Sequence, residues 1–258
     1  MSENLILLAE YWLVYYVLLL AVYFAGGCLI QYFNHSKLDY LKIQEKHCPD
    51  EIVKRDIKQS VKSLASIALF LALGRLSYQL GYGFNADDHS PALMVITFLL
   101  SLFLFDTWFY WFHRLIHSKF LFKHVHRWHH QTVTPTLWSN NSDSFLDNLF
   151  LQSYWAVVHF LFPVHPVVIL VHKIFDQVTG MLGHSGYEYC ASKLYRWPSP
   201  LVSVCFHDQH HSAFHYNYAT HFTVWDKWMG TMAKDYEQIH ADLIERKTLH
   251  DSNNSKTV

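Results

Sequence analysis

Long stretches of apolar residues constrain the fold of this chain more than any other feature of its sequence. Residues 4–33 read NLILLAEYWLVYYVLLLAVYFAGGCLIQYF, and residues 63–84 and 91–112 are two further apolar stretches. A helix needs about 20 mainly apolar residues to cross a bilayer. A fourth stretch, residues 145–182, has room for two short helices broken around residues 163–166. We therefore predict an all-α integral membrane bundle with four to five spans.

The fourth stretch also allows another interpretation. It contains Asp147, Lys173 and Asp176 among its apolar residues. Ionisable side chains are costly in lipid, and irregular backbone at membrane depth is tolerated only inside protein. A buried or re-entrant helical hairpin is therefore the alternative to two complete spans.

The distribution of basic residues orients the predicted spans. The first connection carries a dense group of basic residues, whereas residues 1–11 and 81–90 carry none. Loops rich in Lys and Arg lie on the cytoplasmic side of a membrane. Alternation of the spans then places residues 113–144, and all residues from 184 onward, on that side. We predict an N-out, C-in topology.

Histidine is the most unusual component of the sequence, with 20 copies, as many as Lys and Arg together. The net charge of −1 gives no basis for nucleic-acid binding. The four cysteines form no C-x-x-C pair, so they indicate neither a disulfide framework nor a thiolate zinc site. The histidines are therefore the candidates for chemistry.

Three histidine clusters lie on the predicted cytoplasmic face. HRLIH has an i,i+4 spacing, and HRWHH and HDQHH each have i,i+3 and i,i+4 spacings. These offsets place side chains on one face of a helix, where imidazoles can share a metal ion or a pair of ions. The cluster members are His113, His117, His126, His129, His130, His207, His210 and His211.

The number of imidazoles favours two metal ions over one. A mononuclear zinc site uses three or four protein ligands, and the H-E-x-x-H pattern of zinc proteases is absent here. Neutral imidazole binds several transition metals, so the spacing alone does not name the metal. The alternative is a histidine-rich surface that chelates metal loosely or senses pH.

The ordered motifs DTWFYWFHRLIH, HVHRWHH, GHSGYE, FHDQHH and VWDKWMGT resemble those of the fatty acid hydroxylase/sterol desaturase superfamily. The resemblance covers about residues 100–232. It implies an integral membrane di-iron enzyme with a cytoplasmic, histidine-rich helical cap that holds two Fe ions and uses O2 as co-substrate. Two segments depart from the family pattern, NNSDSFLDN after the second box and FHYNYAT after the third.

The resemblance also assigns residues. The isolated His184 of GHSGYE joins the eight box histidines as a metal ligand, whereas His124 and His215 lie off the box pattern. Metal-bound imidazoles usually donate their other N–H to a carboxylate or a carbonyl. The carboxylates expected in this supporting role are Asp106, Asp208 and Asp226.

By family analogy, the chain is an oxidoreductase that hydroxylates or desaturates a C–H bond of a membrane lipid. The lipid is expected to enter sideways from the bilayer, either past Trp108, Trp111, Trp128 and Trp138 or with these residues serving only as an interfacial belt. There is no nucleotide-binding fingerprint or Fe–S cysteine set, so a separate reductase with a ferredoxin or cytochrome b5-type carrier is implied.

Other functions remain open at this stage. A hydrolase or a metal-handling protein would use the same histidines without redox chemistry. HFTVWD, residues 221–226, has the H-x-x-x-x-D spacing of glycerolipid acyltransferases, in which His221 would be a general base.

The organisation follows from these assignments. We predict N-terminal helices and a connection over residues 1–90, the catalytic region over residues 91–232, and a polar tail over residues 233–258 whose end, HDSNNSKTV, is disordered. The compact chain without a fused electron carrier favours a bacterial inner membrane over the endoplasmic reticulum.

Overall fold

The computed structural model describes residues 3–84, 86, 90–192 and 200–254. Within these ranges every regular element longer than an isolated bridge is a helix, which confirms the predicted all-α class. The chain begins with three long helices, α1 (Glu3–Lys37), α2 (Asp50–Gln79) and α3 (Pro91–Ile116).

These three helices are long and apolar enough to cross a membrane, by length and composition. Large apolar side chains remain exposed along them, including Leu13 and Leu29 on α1 and Val95 on α3. Such a surface is suited to lipid rather than water. In the part of the chain that the structure describes, the three helices are the only ones that meet this criterion, so the predicted count of four to five spans is not confirmed.

The fourth apolar stretch folds as short pieces followed by one helix. The pieces are α5 (Phe145–Leu151), α6 (Tyr154–Val157) and a 3-10 turn, and the helix is α7 (Pro166–Gly183). A seven-residue helix is only about 10 Å long, which is too short to cross a bilayer. The first of the two short spans that the sequence suggested is therefore broken.

Packing against α2 explains this break. Asn148 donates to the hydroxyl groups of Ser63 and Ser66 on α2. At Gly74 the backbone carbonyl of Trp155 lies so close that an added Cβ would collide with it. The polar contacts and the close approach hold the short pieces against α2 in place of a continuous helix.

The remaining segments form a helical cap. It contains α4 (Lys119–Leu121), a π turn over Phe122–His126, 3-10 turns at His129–Gln131 and Leu137–Ser139, and then α8 (Val204–Ala213), α9 (Val224–Met229) and α10 (Tyr236–Asn254). The end of α3, the end of α7 and the whole of α8 carry histidines and converge in this region.

The polar tail is helical as far as Asn254, so residues 250–254 of the end expected to be disordered belong to α10, and residues 255–258 lie outside the described residues. Tyr236 is buried, and Ile239 and Leu243 pack with it against the cluster around Phe206. These apolar residues follow an i,i+3,i+7 spacing, which gives α10 one apolar face. That face explains why the segment is ordered.

Candidate metal centre

Nine histidine rings converge in the cap as two groups. Within each group the potential ligand nitrogens all lie within 4.8 Å of one another. One group consists of His113, His117, His126, His130 and His210, and the other consists of His129, His184, His207 and His211. These nine residues are the nine that the sequence motifs and the family resemblance predict as ligands.

The two groups divide the histidine boxes between them. In the second box, His126 and His130 belong to one group and His129 to the other. In the third box, His207 and His211 share a group that His210 does not join. Side chains four residues apart thus point to the same site, and the intervening one points to its neighbour.

Backbone carbonyl groups fix the orientation of four of the rings. His113 Nδ1 donates to the Tyr218 carbonyl at 2.6 Å, and His210 Nδ1 donates to the Tyr216 carbonyl at 2.7 Å. His184 Nδ1 donates to Gly180 at 2.8 Å, and His211 Nδ1 donates to Thr132 at 3.1 Å. A proton on Nδ1 leaves Nε2 as a lone pair.

A carboxylate hydrogen-bonds to a fifth ring, and a second carboxylate lies near a sixth ring without a hydrogen bond. His126 Nδ1 lies 2.8 Å from Asp147 Oδ2, and His129 Nδ1 lies 3.0 Å from Asp143 Oδ1. Burial raises the pKa of the Asp147 carboxyl, and the nearby Asp143 carboxylate raises it further. Positive charge between the rings would offset this cost, because a cation favours the ionised form of a neighbouring carboxyl.

The Nε2 atoms face one another in both groups. The separation is 3.1 Å between His113 and His126, 3.1 Å between His130 and His210, and 3.0 Å between His184 and His207. Two lone pairs at this distance repel, whereas nitrogens that share one cation at about 2.1 Å each can lie this close. The residues present therefore fit two metal ions, one in each group.

Burial favours the neutral form of several of these rings. Desolvation, with repulsion from neighbouring rings, lowers the pKa of His184 to about 3. The same causes lower the pKa values of His130 and His211 well below the usual 6.5. Metals bind neutral imidazole, so no proton has to leave before binding.

The expected carboxylate partners lie elsewhere. Among the described residues, none of the three contacts a ligand ring. Asp106 Oδ1 accepts from the backbone N–H groups of Thr220, His221 and Phe222, and Asp226 accepts from the N–H groups of Tyr218 and Ala219. Asp208 accepts from Gln44 Nε2. Two of these carboxylates therefore hold the loop that supplies the Tyr218 carbonyl to His113, and the third contacts the first connection.

Asp143 and Asp147, which do face ligand rings, were missed as partners. In the sequence, Asp147 stands out only as a costly charge in an apolar stretch, and Asp143 lies in the NNSDSFLDN segment that departs from the family pattern. One sequence signal could have identified them as partners of the ligand rings. Each is an acidic residue that follows a histidine box closely and has no basic neighbour in the sequence.

Replacing Asp147 by alanine is expected to weaken metal binding by about 10- to 100-fold, as loss of such a carboxylate typically does. Metal content after titration with a competing chelator measures this effect. Asp208→Asn is the matched control, because Asp208 is also largely buried but contacts Gln44 instead of an imidazole. Equal losses in the two variants would contradict an orienting role for Asp147.

Two histidines beside the boxes do not join either group. His124 and His215 are exposed, and His124 packs against Phe120. They lie off the box spacing, and neither belongs to a metal group.

A cavity of about 470 Å³ opens beside both metal groups. Most of the other side chains in its wall are apolar, and the histidines in the wall are His113, His126, His129, His184, His207 and His221. Leu99 on α3 and Phe175 on α7 line the cavity, although 58% and 40% of their surfaces are exposed. These two residues mark an opening between α3 and α7 on the apolar outer surface.

The four tryptophans considered for this entrance lie elsewhere. Among the described residues, none of them lines this cavity. Trp108 Nε1 donates to the Phe150 carbonyl, and Trp138 Nε1 donates to Gln31. The opening is therefore lined by aliphatic and phenyl side chains rather than by tryptophan.

Comparison with known proteins gives several similarities. A family model described as "Fatty acid hydroxylase" matches residues 98–231. The chain is 31% identical to lathosterol oxidase of Rattus norvegicus, over 81% of this chain and 70% of that protein. It is 28% identical to sphinganine C4-monooxygenase 2 of Arabidopsis thaliana, over 81% of each chain. No solved structure matches.

A further relative is the Delta(7)-sterol 5(6)-desaturase ERG3A of Gibberella zeae, with 27% identity over 79% of this chain. The match spans 59% of the length of that relative. These relatives come from a mammal, a plant and a fungus, so the comparisons give no support to the predicted bacterial inner membrane. The family match and the relatives confirm the resemblance in the histidine motifs: the chain is a membrane oxidoreductase that belongs to the fatty acid hydroxylase/sterol desaturase superfamily.

Proposed function

We propose that this protein is an O2-dependent di-iron oxygenase that hydroxylates or desaturates a membrane lipid. The observation that carries the proposal is the convergence of nine imidazoles in two groups, five of which line the wall of a mainly apolar cavity that opens on the apolar outer surface. His113, His117, His126, His130 and His210 would hold one iron ion, and His129, His184, His207 and His211 would hold the other.

Each part of the chain has a definite task in this proposal. Two bound iron ions, with O2 and electrons, would supply the oxidising power to remove hydrogen from an unactivated C–H bond, which no side chain can do. The backbone carbonyl groups that accept a hydrogen bond from Nδ1 keep the rings oriented, so Nε2 remains available for metal. The cavity wall binds the apolar body of the lipid and excludes water.

The substrate class follows the relatives named above, which are a lathosterol oxidase, a sterol desaturase and a sphinganine monooxygenase. We infer a sterol, sphingoid or related membrane lipid. The N-out, C-in topology with a cytoplasmic cap and the domain boundaries remain part of the proposal, with three complete spans and the fourth apolar stretch as a buried or re-entrant hairpin. The eukaryotic sources of the relatives favour the endoplasmic reticulum, and a separate reductase with a ferredoxin or cytochrome b5-type carrier would deliver electrons.

The test is to measure metal content and lipid products together. Protein purified in detergent is expected to carry two iron ions per chain, and cells that express it are expected to accumulate a hydroxylated or desaturated lipid. A single zinc ion, with an unchanged lipid profile, would instead indicate the hydrolase or the metal-handling alternative.

The acyltransferase alternative finds no support in the geometry. Asp226 accepts from Tyr218, Ala219 and Thr231, and its contacts do not include the ring of His221. The His221 ring instead faces Asp176. The H-x-x-x-x-D spacing is therefore a coincidence of two residues with separate partners.

A further inference from the structure

A buried polar cluster interrupts the apolar wall of the cavity, outside the two metal groups. It consists of Gln152, Lys173, Asp176 and His221, all of which line the cavity. Each of these residues has more than nine-tenths of its surface buried. Buried ionisable groups are costly in an apolar region, so such a cluster indicates a function.

The charges of the cluster are paired internally. Lys173 Nζ donates to Asp176 Oδ2 at 2.7 Å and to Gln152 Oε1 at 3.1 Å, and it lies over the ring of Trp155. The pair leaves no net charge. A charged ligand would therefore meet a neutral site, in which the Asp176 carboxylate would repel an anion and the Lys173 ammonium would repel a cation.

Two polar atoms of the cluster face each other across a gap without a hydrogen bond. His221 Nε2 lies 3.7 Å from Asp176 Oδ1, which exceeds hydrogen-bond length. Among the described residues, this nitrogen has no hydrogen-bond partner, although it is buried. Asp106 holds the His221 backbone N–H at 2.7 Å, so the imidazole is attached to a fixed loop.

We propose that this gap binds a hydroxyl group of the lipid substrate, which donates to Asp176 and accepts from His221. The inference rests on the proposed function and narrows its substrate class to a neutral lipid alcohol. A single oxygen can lie about 2.8 Å from both atoms and uses its donor and acceptor capacity together. An ester or a hydrocarbon cannot donate to Asp176, and a fatty acid anion would be repelled by it.

The position of the gap suits a lipid that also reaches the metal groups. Asp176 and His184 are eight residues apart along α7 and its cap, which corresponds to about 12 Å along the helix axis. Phe175 at the opening is adjacent to Asp176 in sequence. A lipid that enters between α3 and α7 would therefore meet the polar cluster between the opening and the histidines.

The experiment compares lipids that differ only by a hydroxyl group. Affinities of the iron-loaded, full-length protein are measured for radiolabelled cholestanol and cholestane, and for hexadecanol and hexadecane. The two pairs distinguish a ring system from an acyl chain. Comparing ratios of affinities between variants cancels the partitioning of each probe into detergent.

The wild-type protein is expected to prefer the alcohol by at least about tenfold in one pair, as a hydrogen bond to a charged group implies. The preference should disappear in His221→Phe and in the double variant Lys173→Met, Asp176→Leu, because neither variant keeps both partners of the hydroxyl group. The control Lys227→Met, Glu237→Leu removes an ion pair away from the cavity and should keep the preference.

Two results would overturn the proposal. The first is a wild-type protein that binds alcohol and hydrocarbon equally after correction for partitioning, and the second is a preference that survives in the variants. If the double variant does not fold, His221→Phe alone decides, because a ring of similar size replaces the imidazole. Binding requires no turnover, so a failure of the di-iron proposal would appear separately, as missing iron or missing oxidised lipid.

Discussion

The double variant His129→Ala, His210→Ala is expected to lose both metal ions and all lipid oxidation. Each residue belongs to a different group, so each single variant should lose the ion of its own group and bind the other ion more weakly. His210 Nε2 lies 3.1 Å from His130 Nε2, and His129 Nε2 lies 3.5 Å from His184 Nε2. Because a ligand is removed, the loss of activity should exceed the about 10- to 100-fold typical of a supporting carboxylate.

Metal analysis of purified protein and lipid profiling of expressing cells measure the two effects. The control is His124→Ala, His215→Ala, which removes two exposed histidines that belong to neither group. It should retain both ions and full activity. Iron that stays bound in the His129, His210 variant at wild-type stoichiometry would refute the assignment of the two groups.

The second large effect is expected from acidification of the metal-free protein. Burial and mutual repulsion lower the pKa values of seven ligand histidines outside the predicted spans. These are His117, His126, His130, His184, His207, His210 and His211. The unfolded chain binds protons near pH 6.5, whereas the folded cluster resists protonation to about pH 3 at His184.

The direction of the change in stability with pH follows from this difference in pKa between the folded and the unfolded states. Above pH 6.5 both states are unprotonated and stability does not depend on these groups. As the pH falls below 6.5, the unfolded state gains protons that the folded state does not, so the free energy of unfolding decreases. Between pH 7 and pH 5 each independent histidine would cost about 2 kcal/mol. Several such histidines together would approach the whole net stability of a typical domain, about 5–15 kcal/mol.

Thermal unfolding of chelator-treated protein in detergent, from pH 8 to pH 5, measures this dependence. The unfolding temperature should fall steeply below about pH 6.5. Iron-loaded protein should resist the change until protons displace the metal. An unfolding temperature that is constant to pH 5 in the metal-free protein would mean that the histidines are not buried as neutral rings.

The candidate ligands could be predicted from the sequence because metal binding imposes a local spacing. The spacing of His113 and His117, and that within the two H-x-x-H-H clusters, shows which side chains share a helix face. The division of each cluster between two groups could not be predicted, because it depends on how α3, α7 and α8 approach one another. His184 required the family resemblance, since nothing in its own neighbourhood marks it as a ligand.

The long helices were predictable for a similar reason, since a run of apolar residues is a property of the sequence itself. The break of the fourth stretch at Gln152 and Ser153 was not, because it arises from polar contacts of Asn148 and from the close approach at Gly74 of another helix. The contacts of Asp106 could not be predicted from the sequence for the same reason. The backbone N–H groups that hydrogen-bond to Asp106 lie in a loop more than a hundred residues further along the chain.

The sharing of the second and third boxes between two metal groups has a consequence for how the holoprotein assembles. His129 and His130 are adjacent in the chain yet serve different groups, as do His210 and His211. An ion that binds one group fixes the backbone that presents the other, so the second ion meets ligands whose ordering entropy has already been lost. Metal uptake is therefore expected to be cooperative, with few half-loaded molecules at limiting iron, and titration of apoprotein with ferrous iron would show a sigmoidal curve.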